Sequence, residues 1–252
     1  MLKVRCPSEA AADTSGSRRL FSRNDVIILG GLAGATVLAR PLDTYLTRRL
    51  QSPNLQYNPI LGRGATTVRL LAVPGSLIGG AAFYALGRAR HDPGMSDAML
   101  HSLEAVVVTD VVTTGIKWTA GRARPYVDTN NPHNFMLFRG LKSDAYQSFP
   151  SGHTSTAFAM ATALTAEASY WRPGQKWLVG GVTYSLATLT GISRIYNNMH
   201  WSSDVVGGAA IGTITALAVV RYNHHHPETT LNRKLVPKKG IGIPIVFAIP
   251  VN

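Results

Sequence analysis

Long apolar stretches separated by polar segments recur along this chain. They cover Val26–Ala39, Leu70–Gly87, Ala98–Ile116, Thr154–Tyr170, Leu178–Ser193 and Val205–Val220. Each stretch is too long for an ordinary strand and lacks the strict alternation of a half-buried strand, so each is predicted to be a helix. Prolines and glycines lie between the stretches, as expected for connections. The pattern predicts an all-α protein built as a six-helix bundle.

Whether these helices cross a bilayer is a separate question. A spanning helix needs about 20 apolar residues, and every stretch reaches a charge or a breaker before that length. The mean hydropathy, +0.06, is low for a polytopic membrane protein. Charged residues, however, make up only 15% of the chain, against roughly a quarter in soluble domains. Small-residue pairs of the kind that bring helices together in lipid occur at Gly30/Gly34, Gly75/Gly79 and Gly208/Gly212. A tightly packed soluble bundle would use glycine similarly, but the balance favours a membrane-embedded bundle.

The chain divides by composition into three parts. Residues 1–25 are predicted to be a flexible basic segment and not a cleavable signal peptide, because no apolar run closely follows the first charges. Residues 26–222 form the predicted helical domain, and residues 223–252 a C-terminal tail. The single cysteine, Cys6, excludes an intramolecular disulfide. With 25 Lys and Arg against 13 Asp and Glu, the net charge of +12 suggests phosphates, nucleic acid or an anionic membrane surface as partners.

Two cations close the third apolar stretch. Lys117 and Arg124 are seven residues apart, which predicts that they share one face of a helix that Pro125 then ends. Asp110 extends this face inward, either as an anchor for the cations or as a satisfied buried carboxylate. Cations at a helix C-terminus commonly serve only the helix dipole, so this block alone does not indicate a site.

A second block, Phe149–His153, directly precedes the fourth apolar stretch. A helix start offers unpaired backbone N–H groups, and Gly152 lets an anion approach them closely. Ser151 adds a hydroxyl donor, and His153 ionises near neutral pH. By itself, the block is equally typical of a serine N-cap followed by an incidental histidine.

The third block begins with Ser193 and Arg194 and continues, after five residues, with His200 and Asp204. Four residues apart on a helix, His200 and Asp204 would lie one above the other. A carboxylate that accepts one imidazole N–H leaves the other nitrogen with a free lone pair, as a nucleophilic histidine requires. A surface His–Asp pair of no consequence has the same spacing.

Taken together, the three blocks are specific, because eleven residues at set spacings arise by chance in about one chain in ten million. The pattern resembles, at every defining position, the tripartite signature of the type 2 phosphatidic acid phosphatase and vanadium haloperoxidase superfamily. The resemblance spans residues 117–204, about a third of the chain. It implies a metal-independent phosphatase that works through a phosphohistidine intermediate.

The resemblance also implies a role for each matching residue. Phosphate binding falls to Lys117, Arg124, Ser151, Gly152 and Arg194. His200 is the implied nucleophile, Asp204 orients it, and His153 protonates the leaving oxygen. Fixed cations supply the charge that magnesium supplies in other phosphoryl-transfer enzymes. No metal or other cofactor is implied, and the three consecutive histidines 224–226 in the predicted polar tail are not expected to bind one.

Three function classes follow from the resemblance. The first is a membrane phosphatase acting on a lipid phosphate or prenyl diphosphate; the apolar loop 134–138 could rest on acyl chains or cover the pocket. The second is a soluble periplasmic acid phosphatase, which the low hydropathy favours. The third is a vanadium haloperoxidase, disfavoured because members with that chemistry are much longer chains. No nucleic-acid partner and no obligate protein partner is inferred.

The distribution of positive charge predicts an orientation. In an up-down bundle the helix ends that carry the three blocks fall on one side. Of the 25 Lys and Arg, 14 fall on the opposite side and 11 on the pocket side, or 8 without the three implied phosphate ligands. Since positive charge favours the cytoplasm, both termini are expected there, and the pocket faces the periplasm or the cell exterior.

Overall fold

The computed structural model describes residues 23–227, and these fold into α-helices joined by turns, with no β-strand in that range. The helices are α1 (Arg23–Leu38), α2 (Leu42–Leu50), α3 (Pro53–Gln56), α4 (Pro59–Leu70), α5 (Ser76–Ala89), α6 (Pro93–Ala120), α7 (Gly152–Trp171), α8 (Lys176–Tyr196) and α9 (Ser202–His225). The all-α prediction is confirmed. Cys6 and the segment 241–251 lie outside the described residues, as do most of the predicted N-terminal segment and tail.

Every predicted helix is present, but the second one begins earlier than its apolar stretch. Pro59 occupies the first turn of α4, and the Asn58 side chain accepts hydrogen bonds from the backbone N–H groups of Ile60 and Leu61. A five-residue π-helical turn, Leu71–Gly75, then joins α4 to α5. Such turns insert an extra residue into a helix and are frequent at functional sites. The short helices α2 and α3 carry no long apolar run, and the apolar pattern did not predict them.

Helix α7 lies at the centre of the bundle, packed between α6, α8 and α9. Its core side chains are small: Ala159 and Ala163 are fully buried against Ala105 and Ala216. The close approach predicted for Gly208 and Gly212 is confirmed, because a Cβ atom on Gly212 would lie 2.1 Å from the Ser155 carbonyl oxygen of α7. A Cβ atom added to Gly30 or Gly34 would have no neighbour within 4 Å, so this pair does not mediate helix packing among the described residues.

Three helical segments are long and apolar enough to cross a membrane: Pro59–Ala89, Pro93–Ala120 and Ser202–His225. A fourth results if α1 and α2, bent by 63° relative to each other, count as one span. Large apolar side chains also face outward, among them Leu38 and Ile78, which are 78% and 70% exposed. A bundle with so much apolar surface would aggregate in water. Length, composition and surface together support a multi-pass membrane protein.

Candidate active site

A cavity of about 370 Å³ opens at the end of the bundle where α6 ends and α7 begins. It is lined by Arg69, Val73, Asp110, Lys117, Arg124, Asp144, Gly152, His153, Thr156, Arg194, Met199 and His200. The topology therefore gathers six of the eight predicted site residues around one space. The other two, Ser151 and Asp204, are buried beside the cavity and do not line it.

The first predicted block is only partly helical, which corrects the expectation from its spacing. Helix α6 ends at Ala120, because Gly121 adopts a left-handed conformation (φ 57°, ψ 37°) that glycine tolerates best. A Cβ atom at Gly121 would lie 1.9 Å from the Met136 carbonyl oxygen, so a larger residue does not fit. Lys117 is thus on the last turn of α6, whereas Arg124 lies in the loop beyond it, and the two cations meet without sharing a helix face.

Backbone carbonyls and a loop carboxylate hold these two cations in place. The Lys117 ammonium donates to the Gln147 carbonyl at 2.8 Å. The Arg124 guanidinium donates from Nε to the Asp144 carbonyl at 2.9 Å and from Nη2 to the Asp144 carboxylate at 2.6 Å. Because Asp144 is largely exposed, its ion pair with Arg124 is open to water. The loop between α6 and α7 therefore orients both cations toward the cavity.

Arg194 is the cation least satisfied by the protein. It is 4% exposed near the end of α8, and its Nε has no hydrogen-bond partner among residues 23–227. A buried charged donor without an acceptor is costly, so this guanidinium favours an anion in the cavity.

Arg69, in the last turn of α4, also lines the cavity, and the sequence analysis did not identify it as a site residue. Its only signal was a lone cation at the edge of an apolar stretch.

The start of α7 contributes backbone N–H groups to the cavity. Gly152 is the first residue of α7 and lines the cavity; a Cβ atom there would lie 3.4 Å from Lys117 Cε. Ser151 precedes the helix, but its hydroxyl pairs with the Thr154 hydroxyl at 2.8 Å and makes no N-cap bond. The Ser151 hydroxyl is therefore placed to support the loop, and its predicted contact with phosphate would require a different rotamer.

His200 lies in the connection before α9, so the predicted stacking of His200 over Asp204 on one helix is wrong. Its Nδ1 is 2.7 Å from the Ser148 carbonyl oxygen and 3.9 Å from Asp204 Oδ2. Since a carbonyl oxygen only accepts, Nδ1 carries the proton and Nε2 keeps a lone pair. Burial lowers the pKa of the His200 imidazole to about 3, against the opposing effect of Asp204. The ring is therefore neutral at physiological pH.

Asp204 contacts the loop around His200 more closely than it contacts the imidazole, from which its nearest oxygen is 3.9 Å away. Its carboxylate accepts hydrogen bonds from the Ser148 hydroxyl at 2.5 Å and from the Trp201 backbone N–H, at the start of α9, at 2.9 Å. Asp204 therefore fixes Ser148, whose carbonyl accepts from His200, and Trp201, which follows His200. This geometry connects Asp204 to the chain on both sides of His200.

A buried charge network behind the site was not predicted. Arg122, between the two cations of the first block, is 1% exposed and donates to the carboxylates of Asp43, at 2.7 Å, and Asp204. Asp43, on α2, also accepts from the hydroxyls of Ser202 and Ser203, each at 2.7 Å. The network ties α2 and the loop after α6 to the start of α9. No local pattern indicates a pairing across 79 residues.

Asp110 lies on α6 two turns before Lys117, as expected. The alternative that Asp110 is a buried carboxylate is wrong. Its side chain is exposed and lines the cavity. The cavity thus holds four cations, two carboxylates and two histidines. That composition suits a phosphate group, which takes hydrogen bonds from the cations and brings a leaving oxygen that needs a proton.

The chain is similar to known lipid phosphatases. The family model of the PAP2 superfamily matches residues 98–227. A lipid A 1-phosphatase from Porphyromonas gingivalis is 51% identical over 79 residues, which are 31% of this chain and 17% of that protein. The putative undecaprenyl-diphosphatase YbjG from Escherichia coli is 30% identical over 151 residues, 58% of this chain and 67% of that protein.

Among solved structures, Aquifex aeolicus LpxE matches with a TM-score of 0.52 and 24% identity, covering 72% of this chain and 96% of that chain. This likeness shows a shared fold. The chain spans less than half the length of several curated relatives that it matches. The family match nevertheless contains all three sequence blocks and supports a phosphoric-ester hydrolase.

Proposed function

Because the chain belongs to the PAP2 superfamily, we propose that it is a metal-independent lipid phosphate phosphatase in which His200 is the nucleophile. The observation that carries the proposal is the combination of a neutral, fixed His200 with a cavity of four cations, one of which, Arg194, has an Nε without a hydrogen-bond partner among the described residues. Phosphoryl transfer depends mainly on positioning and on stabilising charge at the phosphate oxygens. The hydrogen bond from His200 to the Ser148 carbonyl positions the nucleophile. The cations of the cavity stabilise the charge on the phosphate oxygens.

In the proposed first step, Nε2 of His200 attacks phosphorus and the bond to the leaving oxygen breaks. Lys117, Arg124 and Arg194 neutralise the charge on the three non-bridging oxygens, and the Gly152 N–H adds a donor. His153, also on the cavity wall, gives a proton to the leaving oxygen; burial and the neighbouring cations lower its pKa to about 4, and the negative charge of the bound phosphate offsets those cations so that His153 enters the step protonated. A water molecule then attacks the phosphohistidine, His153 takes the proton from that water, and His200 returns to its neutral form.

Apolar cavities beside the phosphate cavity support a lipid as the substrate. One, of about 390 Å³, lies between α4 and α8 and includes Val68 and Ser193 in its walls. Another, of about 200 Å³, includes Val68 and Ala157. The three wall residues Val68, Ser193 and Ala157 are chain neighbours of Arg69, Arg194 and Thr156, which line the phosphate cavity. The apolar cavities therefore begin next to the phosphate and can accommodate acyl or prenyl chains.

The direct test is to trap the intermediate in the full chain purified in detergent micelles. A ³²P-labelled phosphatidic acid should label wild-type protein within one turnover, giving an acid-labile and base-stable adduct. His200→Ala should show no adduct and almost no turnover. His133→Ala is the matched control, because His133 lies in the exposed loop before α7 and outside the cavity. A His200→Ala protein that keeps a tenth of wild-type activity would refute the nucleophile.

The role of His153 can be separated by the choice of leaving group. With p-nitrophenyl phosphate, whose leaving group needs no proton, His153→Ala should still form the phosphohistidine but hydrolyse it slowly, so the adduct accumulates. With the lipid substrate, the same variant should be slow to form the adduct at all. Equal losses with both substrates would contradict the proposed acid–base role.

We further propose that the cavity faces the periplasm or the cell exterior, which rests on the distribution of Lys and Arg predicted from the sequence: 14 on the side opposite the pocket against 8 on the pocket side, leaving out the three proposed phosphate ligands. In a Cys6→Ser background, Lys142→Cys places a thiol in the exposed loop near the cavity, and Gln175→Cys places one in the exposed turn between α7 and α8 at the other end. An impermeant maleimide added to intact cells should label the first variant and not the second. The reverse pattern would invert the topology.

A further inference from the structure

Three ionisable side chains converge at the end of the bundle opposite the phosphate cavity. His101 comes from α6, Glu167 from α7 and His224 from α9. His101 Nδ1 lies 2.7 Å and His224 Nε2 lies 3.0 Å from the same carboxylate oxygen, Oε1 of Glu167. All three donor atoms lie within 4.8 Å of one another. The proposed phosphatase chemistry uses none of these residues.

The cluster is far from the phosphate cavity. His101 is 16 residues before Lys117 on α6, and Glu167 is 14 residues after His153 on α7. At 1.5 Å per residue, these separations are about 24 Å and 21 Å along the helix axes. A ligand held by the cluster therefore cannot touch the substrate phosphate, and its effects are separable from those of the proposed catalysis.

From these residues we propose a binding site for one divalent transition-metal ion, of the Zn²⁺ class, that joins three helices at this end of the bundle. Two imidazole nitrogens and one carboxylate oxygen are a donor set typical of Zn²⁺, whereas Mg²⁺ and Ca²⁺ require mostly oxygen ligands. His101 and Glu167 are almost fully buried, and His224 is partly exposed. The exposed edge beside His224 gives the ion an entry path and a position for a water ligand.

The surroundings of the cluster fit metal ligands. Trp171 Nε1 donates to the second oxygen of Glu167 at 3.2 Å, and the Tyr170 ring stacks on the His224 ring at 3.8 Å. These contacts fix the carboxylate and one imidazole, as surrounding residues commonly do for metal ligands.

Two unsatisfied atoms in the same place provide an independent observation. His101 Nε2 and an oxygen of Asp97 are both buried without a hydrogen-bond partner among the described residues. The two residues are one turn apart on α6. When a metal takes His101 Nδ1, the ring proton moves to Nε2 and requires an acceptor, and Asp97 is the carboxylate within one turn that could supply it.

Metal binding would replace the two protons that bridge the histidines to Glu167, and the ion would hold α6, α7 and α9 together. The site is therefore expected to affect stability and not the chemical step. This expectation also separates the proposal from that for the phosphatase, since either can fail while the other holds.

The test uses the full chain purified without a polyhistidine tag, treated with chelator and exchanged into detergent buffer. Zn²⁺ should bind at one ion per chain and raise the thermal-unfolding midpoint by about 5–11 °C at roughly 100-fold excess over the dissociation constant. Mg²⁺ should give no shift. Glu167→Gln and His224→Ala should each abolish the stoichiometric ion and the shift. The matched control is His225→Ala, which removes the exposed neighbour of His224 and should change neither.

A wild type that binds no stoichiometric Zn²⁺, or a Glu167→Gln protein with an unchanged shift, overturns the site. Loss of binding in His225→Ala overturns it too, because the ligand would then be the surface histidine run. If Glu167→Gln does not fold, His224→Ala at the edge of the cluster carries the comparison. X-ray absorption at the zinc edge of the wild type should show imidazole nitrogens, and a shell of water oxygens alone would refute the proposal.

Discussion

Arg122 is expected to contribute more to the stability of this protein than any cation in the cavity, although it touches no substrate. The Arg122→Met substitution keeps much of the side-chain length and removes every polar contact. Wild-type Arg122 donates to two carboxylates, Asp43 and Asp204, and to the Ser203 hydroxyl and the Pro132 carbonyl. After substitution, both buried carboxylates lose their ion pair with the guanidinium.

The magnitude follows from burial. The side chains of Asp43 and Asp204 are fully buried, so water cannot replace the lost guanidinium. Removing one partner of a buried ion pair typically costs about 3–5 kcal/mol, because the remaining charge is uncompensated. At roughly 2–4 °C per kcal/mol for a chain of this size, the unfolding midpoint should fall by about 6–20 °C. The double variant Arg122→Met, Asp43→Asn also removes one of the two unpaired buried charges, so its unfolding midpoint should be higher than that of Arg122→Met alone.

The assay is thermal unfolding of both variants in the same detergent, with Arg139→Met as the matched control. Arg139 lies in the same loop and makes hydrogen bonds of similar number, but its acceptors are the neutral groups of Gly121 and Asn134. Its removal leaves no buried charge and should cost about 1 kcal/mol. If Arg122→Met destabilises the protein no more than Arg139→Met does, the buried network does not contribute as described.

The remaining predictions concern the cavity. Arg194→Ala should lower kcat/KM by about 10²–10³, the usual loss for one oxyanion donor. The control is Arg63→Ala, which removes an exposed cation outside the cavity and should lower kcat/KM less than twofold. Similar losses in both variants would refute phosphate binding by Arg194. Because its pKa is lowered to about 3, His200 should remain neutral from pH 7 to pH 5 and protonate only as the pH falls toward 3. Nitrogen NMR of histidine-labelled protein, assigned with His200→Ala, checks this, and titration near pH 6.5 would contradict it. Phosphatase activity should survive excess chelator and be inhibited by vanadate, which occupies the phosphate cavity; activity lost with chelator and restored by Mg²⁺ would rule out the metal-independent mechanism.

Parts of this protein could be predicted from the sequence because they depend on short-range patterns. The length of an apolar stretch already determines whether a helix can form, so all six long helices were predicted. The spacing within the three blocks also places their residues near helix ends, and alternating helix direction brings those ends together. For this reason six of the eight predicted site residues line one cavity.

Other features were decided by the tertiary structure, because their determinants are distant in the sequence. Helix α6 ends at Ala120 and not just before Pro125, since the left-handed turn at Gly121 brings the chain against Met136. The His200 tautomer is set by a carbonyl 52 residues away, and Arg122 finds its partners 79 and 82 residues away. A hydrogen bond needs atoms about 3 Å apart, and only the packing of the helices decides which distant residues meet that condition.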